Sequence, residues 1–511
     1  MTKICRYMAL LLSVLMLAAL IPLPQVQAEE NSMAREISGV SLVTDKKGYY
    51  NPASLFDGDQ TTTLDGGTDG YLTLEHAEGI GSVYLIFGTE HGVYTVTNND
   101  TGETRSWGEK NFLHEFLDLE GAFGTAPKSV TIHFNENKLL INELRAFTSG
   151  QVPADIQRWD VPKEGEMDLI LFSTHGDDEQ LFFAGLLPYY AKELDYEVLV
   201  VYMTAHRNHT LSRAHEMLNG LWAVGVTNYP VLGNFPDFFT DTKNNAYSIF
   251  SGFGVTEEDI TCYVVENIRR YKPKVAVGHD PMGEYSHGQH MVYSEVLQKA
   301  VQQSMEESYF PESAQQYGVW DVPKTYLHLY EENPIFMNWD QPLESFGGMT
   351  AFEVTRDIGF PCHVGQIRDF NWYLSQSETA AEMRKYNPCE YGLFRSTVGE
   401  DVQKNDFFEN TLTHEQERLK AEEAAAEAAR QEAERKEAEE AQAKAAEEAA
   451  RLEAEQKAQQ EAEAAAKATE EAAARRNKVL VIACCAVVVL AVVVLAVVLM
   501  LTRRKNYHGR Y

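Results

Sequence analysis

The sequence predicts a multidomain chain: an all-β sandwich, an α/β domain on a parallel sheet, a long helical stalk and one transmembrane helix. Three observations carry this. Short β-branched segments separated by Gly, Asn and Asp fill residues 36–150. From Met167 onward, apolar strands alternate with helical stretches. After residue 414 the composition narrows to Ala, Glu, Lys, Arg and Gln, and then to an uncharged apolar run. The 511 residues suffice for two or three domains with real cores. A formal net charge of -32 argues against nucleic acid as a partner, because phosphate binding needs a basic surface.

Residues 1–28 read as a signal peptide. Lys3 and Arg6 form a positive region, Met8 to Ile21 is apolar, and Val26-Gln27-Ala28 is a small-residue cleavage site. The other reading is an uncleaved anchor. The sandwich, 36–150, rests on Gly70–Leu74, Ser82–Phe87, Gly92–Val96 and Ser129–Phe134. Ser54-Leu55-Phe56-Asp57-Gly58-Asp59-Gln60-Thr61-Thr62 and Ile141-Asn142-Glu143-Leu144-Arg145-Ala146-Phe147 resemble the opening and closing signatures of discoidin-like (factor 5/8 C-type) jelly rolls. Such domains often bind sugars, so the resemblance implies either a glycan-binding module or a bare spacer. Asp57 and Asp59 suit a turn better than a calcium site.

Gly150 to Lys163 is a Pro-containing connector to the α/β domain, 164–410. Met167–Phe172, Glu197–Thr204, Pro273–Asp280 and Thr325–Tyr330 read as strands. Gln180–Leu187 opens a helix, and His209–Val224, Ile260–Tyr271 and Met291–Met305 are further helices. Residues 414–478 contain strong helix formers and no Gly or Pro. Only Leu419 and Leu452 are large and apolar there, so a solvated single helix fits better than a weak coiled coil. Val479–Leu501 has 23 residues without a charge. At 1.5 Å per residue it reaches about 34 Å, enough for a bilayer. With the signal peptide this gives a single-pass type I protein of the cell membrane, its bulk extracellular and 502–511 a cytoplasmic tail, as in a bacterium without an outer membrane. Outside the signal and the span the cysteines are Cys262, Cys362 and Cys389, which allows one bridge at most, Cys362–Cys389 being the candidate.

Two stretches carry chemistry. Ser173-Thr174-His175-Gly176-Asp177-Asp178-Glu179 sits where a strand gives way to a helix, the edge at which ligands bind in parallel α/β folds. Gly283-Glu284-Tyr285-Ser286-His287-Gly288-Gln289-His290 follows a later strand. If the two strands are neighbours, His175, Asp177, Asp178, Tyr285, His287 and His290 meet. Two imidazoles and a carboxylate with an open position suit a catalytic zinc, and a remaining carboxylate and His suit proton transfer. Other divalent ions also accept such a set.

His175-x-Asp177-Asp178-Glu179, Arg213-x-x-Glu216 and Tyr285-x-His287-x-x-His290 resemble the PIG-L/LmbE-like family of zinc-dependent N-acetylglucosamine de-N-acetylases. The likeness runs over about 167–400 and takes in Tyr326, His363-Val364-Gly365-Gln366 and Gly392–Ser396. It implies a Rossmann-like sheet and hydrolysis of an acetamido sugar. By motif position, His175, Asp178 and His290 would bind one zinc ion. Asp177 would be the general base, His287 would stabilise the oxyanion or protonate the amine, and Tyr285 would assist at the mouth. Arg213 would contact substrate, and His363 would reach the site. Glu179 and Glu216 would cap or orient neighbours, while His206, His209, His215 and His279 read as ordinary. Gly176 and Gln289 depart from the family's usual Pro and Asp. The leading expectation is therefore a membrane-anchored extracellular N-deacetylase acting on an N-acetylated glycan. The alternatives are a catalytically inactive glycan-binding surface protein and a stalked structural protein.

Overall fold

The computed structural model describes residues 33–45, 51–135, 138–204 and 211–505. The expected signal peptide, His206, His209 and the end of the expected tail lie outside them. The chain divides into two units, 1–417 and 418–511.

Among the described residues the first unit opens with nine strands: β1 (Val43–Asp45), β2 (Leu64–Thr68), β3 (Tyr71–Glu75), β4 (Ser82–Phe87), β5 (Tyr94–Asn98), β6 (Glu103–Trp107), β7 (His114–Asp118), β8 (Ser129–His133) and β9 (Lys138–Phe147). They form two antiparallel sheets, ordered β1-β3-β8-β5-β6 and β2-β9-β4-β7. Strands β3, β5 and β8 bury every second residue, as a sheet with one wet face requires. β4 is buried at all six positions because Val152 and Ile156 of the connector pack on its outer face. Asp57 and Asp59 do form turns: the Asp59 and Thr61 amides donate to their carboxylates at 2.9 Å.

The α/β part has, among the described residues, seven strands: β10 (Leu169–Ser173), β11 (Val198–Thr204), β12 (Val231–Phe235), β13 (Val275–Gly278), β14 (Lys324–His328), β15 (Pro334–Phe336) and β16 (Glu390–Ser396). Their order is β12-β11-β10-β13-β14-β16-β15. The first five are parallel, and β16 runs antiparallel to β14 and β15. Leu169 and Leu171 point into one core, Ile170 and Phe172 into the other, so β10 is covered on both faces. β10 lies between β11 and β13, which places the switch in strand order at its C-terminal end.

Five helices matter for the site: α1 (Asp178–Leu181), α2 (Leu211–Ala223), α3 (Lys243–Gly252), α4 (Glu257–Tyr271) and α5 (Gly288–Gln303). The helix expected over Gln180–Leu187 breaks after one turn, α1, and helical backbone resumes at Leu186 and runs to Glu193. Gly185 has φ 93°, and a Cβ there would lie 2.5 Å from Trp339 Cγ, so the chain breaks to let the indole in. Helix α5 begins three residues earlier than expected and carries His290 in its first turn. Cys362 and Cys389 are free thiols, so the candidate bridge does not form.

Sandwich and α/β part meet through a chain of side chains. The Asn142 amide, already donating to the Gln60 carbonyl, faces His215 Nε2 at 3.4 Å. His215 Nδ1 lies 2.8 Å from His114 Nε2, and His114 Nδ1 lies 2.7 Å from the Tyr84 hydroxyl. Because Asn142 donates at one end, each imidazole passes on one proton and both must be neutral; a second proton on either ring sets two donors face to face. Burial lowers His215 to about 4, and burial with the neighbouring imidazole holds His114 well below its usual value. The unfolded chain takes up these protons below about pH 6.5 and the folded chain resists, so stability is lost as pH falls. Between pH 6.5 and 4 the loss at His215 alone reaches roughly 3 kcal/mol. Melting temperatures measured across this range are expected to fall less steeply for His215→Gln, whose amide can accept from Asn142 and donate to His114.

The second unit belongs to one uninterrupted helix, α6 (His414–Lys505), exposed from Glu415 onward wherever its side chains are described. Glu432–Lys436 at 2.8 Å and Arg451–Glu455 at 3.5 Å support it at i,i+4 spacing. Its apolar end is long enough, by length and composition, to cross a membrane.

Candidate metal centre and active site

β10 ends at Ser173 and the chain turns sharply. The Thr174 amide donates to His279 Nε2 at 3.0 Å, and the His175 amide donates to Asp178 Oδ2 at 2.8 Å. This folds the loop so that His175 and Asp178 face the loop after β13. There Tyr285 and Ser286 hold φ of 43° and 61°, a left-handed conformation that bulky residues rarely adopt. The strained turn presents His287 as the N-cap of α5 and His290 one turn in.

Three donor atoms converge. His175 Nδ1 is 3.0 Å from Asp178 Oδ2 and 3.2 Å from His290 Nε2, and His290 Nε2 is 3.2 Å from Asp178 Oδ2. A tetrahedral ion with ligands at about 2.0–2.1 Å sets them about 3.3–3.4 Å apart, so the triangle fits one such ion. The outer nitrogens are held too. His290 Nδ1 donates to Glu284 Oε2 at 2.7 Å, which leaves Nε2 as a lone pair. His175 Nε2 lies 3.2 Å from Gln289 Oε1 and 3.5 Å from Asp237 Oδ1, which leaves Nδ1 as the ligand atom. Two other triplets are close enough to hold an ion, one with His287 and one with His279. His279 Nε2 already accepts from Thr174, and His287 Nδ1 accepts from the Gln289 amide at 3.1 Å. His287 therefore carries its proton on Nε2, as a donor.

Glu284 is the hub behind the centre. Fully buried, it accepts from His279 Nδ1 at 2.9 Å, His290 Nδ1 at 2.7 Å and His328 Nδ1 at 2.7 Å. Burial opposes its charge, yet the His279, His290 and His328 hydrogen bonds hold it well below the usual carboxylate range. Burial likewise opposes ionisation of Asp178, but His290 and His175 hold it far down. His290 pays the desolvation of burial and is still raised to about 10 by Asp178 and Glu284. The set is thus built to surround a positive charge. Burial and the His290 and His175 imidazoles push His287 the other way, far below its usual value.

Asp177 stands beside the triangle, 4% exposed, and accepts from Arg213 Nη2 at 3.2 Å. Burial pushes it up to about 6 against the pull of Arg213. Arg213, expected at substrate, is thus engaged with Asp177. His363, also expected at substrate, is fully buried with its Nε2 3.1 Å from Glu179 Oε1. Space decides this: Gly220 of α2 leaves room for that imidazole, since a Cβ there would lie 2.8 Å from His363 Nε2. Glu216 accepts from the Gly365 amide at 3.1 Å, as an orienting residue would. Tyr285 lies 5.4 Å from His287 and 5.5 Å from His290, ring centre to ring centre.

Sequence reasoning missed Glu284, His279, His328 and Asp237. His279 was read as ordinary but is part of the network, and its place at the end of β13 was the available signal. Glu284 stood inside the quoted motif, but nothing local marked it as buried. Asp237 follows β12, a strand that sequence reading did not find because Gly233 weakens the pattern.

Residues 170–301 match the family model described as PIG-L: GlcNAc-PI de-N-acetylase. This stretch is a PIG-L domain. Over 120 residues the chain is 30% identical to 1D-myo-inositol 2-acetamido-2-deoxy-alpha-D-glucopyranoside deacetylase 2 of Saccharopolyspora erythraea, covering 22% of this chain and 42% of that protein. The chain thus spans less than half the length of that curated relative. Among solved structures, the N,N'-diacetylchitobiose deacetylase of Pyrococcus horikoshii aligns at 14% identity and TM-score 0.29, covering 45% of this chain and 84% of that one. An F5/8 type C domain from Bacteroides fragilis aligns at 12% identity and TM-score 0.17, covering 21% and 96%.

Proposed function

We propose that this chain is a metal-dependent de-N-acetylase of N-acetylglucosamine-type sugars, anchored in the cell membrane by α6 with its PIG-L domain outside. The observation that carries the reading is the donor triangle of His175, Asp178 and His290, flanked by a carboxylate and a proton-bearing imidazole. The division into a sandwich at 36–150, a catalytic domain at 164–410, a stalk at 414–478 and a span at 479–501 belongs to the same proposal. So does the jelly-roll sandwich as a glycan-binding module. Zinc is the favoured ion, since two imidazoles and one carboxylate with an open position are its usual catalytic set.

Zinc held there would polarise the acetyl carbonyl and make a water acidic near neutral pH. The remaining steps fall to the chain. Asp177 takes a proton from the attacking water, whose oxygen bonds to the acetyl carbon. His287 Nε2–H donates to the developing oxyanion. The C–N bond then breaks, and the amine leaves with the proton that Asp177 took from the water, while His287 keeps its own. The products are acetate and the free amino sugar. Arg213 keeps Asp177 oriented, and Tyr285 closes the mouth.

The test is metal content and acetate release on the full-length chain in detergent, beside His290→Ala. The expected result is one zinc per wild-type chain, lost in the variant together with acetate release. A wild type that binds no metal would remove the centre. A metal-loaded wild type inert on N-acetylated sugars would leave the binding-protein reading in its place.

A further inference from the structure

The loop between β12 and α3 brings an aromatic ring to the mouth and leaves it in water. Phe239 is 67% exposed. Its ring lies 6.2 Å from Tyr285 at an interplanar angle of 3°, and meets His287 edge-on at 5.1 Å. Tyr285 in turn lies 6.0 Å from Phe370, so three rings form a strip across the mouth.

The exposure is enforced on both sides of the residue. Upstream, the Phe238 amide donates to Gln289 Oε1 at 3.0 Å, and Gln289 Nε2 donates to the Pro236 carbonyl at 2.9 Å. The Phe238 ring packs edge-on against Phe250 at 4.8 Å. Downstream, the Gly288 amide donates to the Thr240 carbonyl at 2.7 Å, and a Cβ on Gly288 would lie 2.5 Å from the Thr242 carbonyl oxygen. Gln289 thus bridges His175 and this loop with one amide. An aspartate there could accept from Phe238 but could not donate to Pro236. Gln289 thus helps to fix Phe239 in place.

An aromatic held in water is apolar surface that a ligand can bury, and a preformed ring face loses little entropy when a ligand covers it. The ligand must be flat, apolar on one face and hydroxylated at its edge. A pyranose ring answers that description, its axial C–H bonds against the ring and its hydroxyls toward polar groups such as the nearby Asp237 carboxylate. We propose that Phe239 is the platform of a second sugar subsite, one ring out from the metal centre. It takes the saccharide unit joined to the acetylated one, so the preferred substrate is a glycan chain. This rests on the de-N-acetylase reading.

The experiment compares wild type, Phe239→Ala and Phe239→Trp as zinc-loaded full-length chains in detergent. Acetate release is measured on N-acetylglucosamine and on its β-linked tetramer, and tetramer affinity is measured separately by calorimetry. The ratio of kcat/KM for tetramer over monomer is expected to fall about tenfold in Phe239→Ala, the size of a lost aromatic contact, and to recover in Phe239→Trp. Equal losses on both substrates, or no loss on either, overturn the subsite. If the wild type releases no acetate from either, the catalytic reading has failed and calorimetry decides: weaker tetramer binding in Phe239→Ala keeps the subsite, and unchanged binding removes it.

Discussion

Asp177→Asn is expected to lower kcat by about 10²–10⁴-fold while the chain keeps its metal. The substitution is nearly isosteric. The side-chain oxygen can still accept from Arg213, which now donates to Asp177 at 3.2 Å. What is lost is the charge and the ability to take a proton. The three donor atoms of the triangle come from His175, Asp178 and His290, so the ion has no reason to leave. Stability is not expected to fall either, because burial already pushes Asp177 up to about 6 and an amide has no charge to desolvate. The measurements are turnover, metal content and melting temperature on the same preparations. Turnover within tenfold of wild type would remove Asp177 as the base.

Glu284→Gln is expected to weaken metal binding by about 10–100-fold without touching a ligand. One carboxylate oxygen accepts from both His279 and His290, and the other accepts from His328 and the Asp280 amide. Four N–H groups converge on two acceptors. An amide supplies one acceptor and one donor, so at least one imidazole must move its proton or turn. If that ring is His290, its proton shifts to Nε2 and the ligand lone pair is lost. All four side chains are buried, so no water can repair the mismatch. Competition with a chromogenic chelator reads the affinity directly. Zinc held as tightly as in wild type would make Glu284 a structural residue with no part in orienting His290.

Much of this was legible in the sequence. The strands expected over Met167–Phe172 and Pro273–Asp280 stood out because their centres, Leu169–Phe172 and Val275–Val277, are continuous apolar runs, as strands covered on two faces must be. His175, Asp177 and Asp178 were placed at a strand end by order along the chain alone. The one-turn α1 was not legible, because Gly185 yields to Trp339, a residue more than 150 positions away. His363 was placed at the substrate by motif position, yet its burial against Glu179 depends on how α2 packs.

What the sequence determined by itself is local: strand and helix periodicity, the uncharged apolar run, the charged Ala- and Glu-rich stalk composition, and which two loops hold the imidazoles and carboxylates. These follow from neighbours within a few residues. The tertiary structure alone decided which nitrogen of each histidine is free, that Glu284 serves three of them, and that Gln289 pins the loop carrying Asp237 and Phe239. Those facts depend on pairing β10 beside β13 and on packing the β12 loop against α5. A proton's place on an imidazole is set by the partner across the site, and that partner is chosen by the fold.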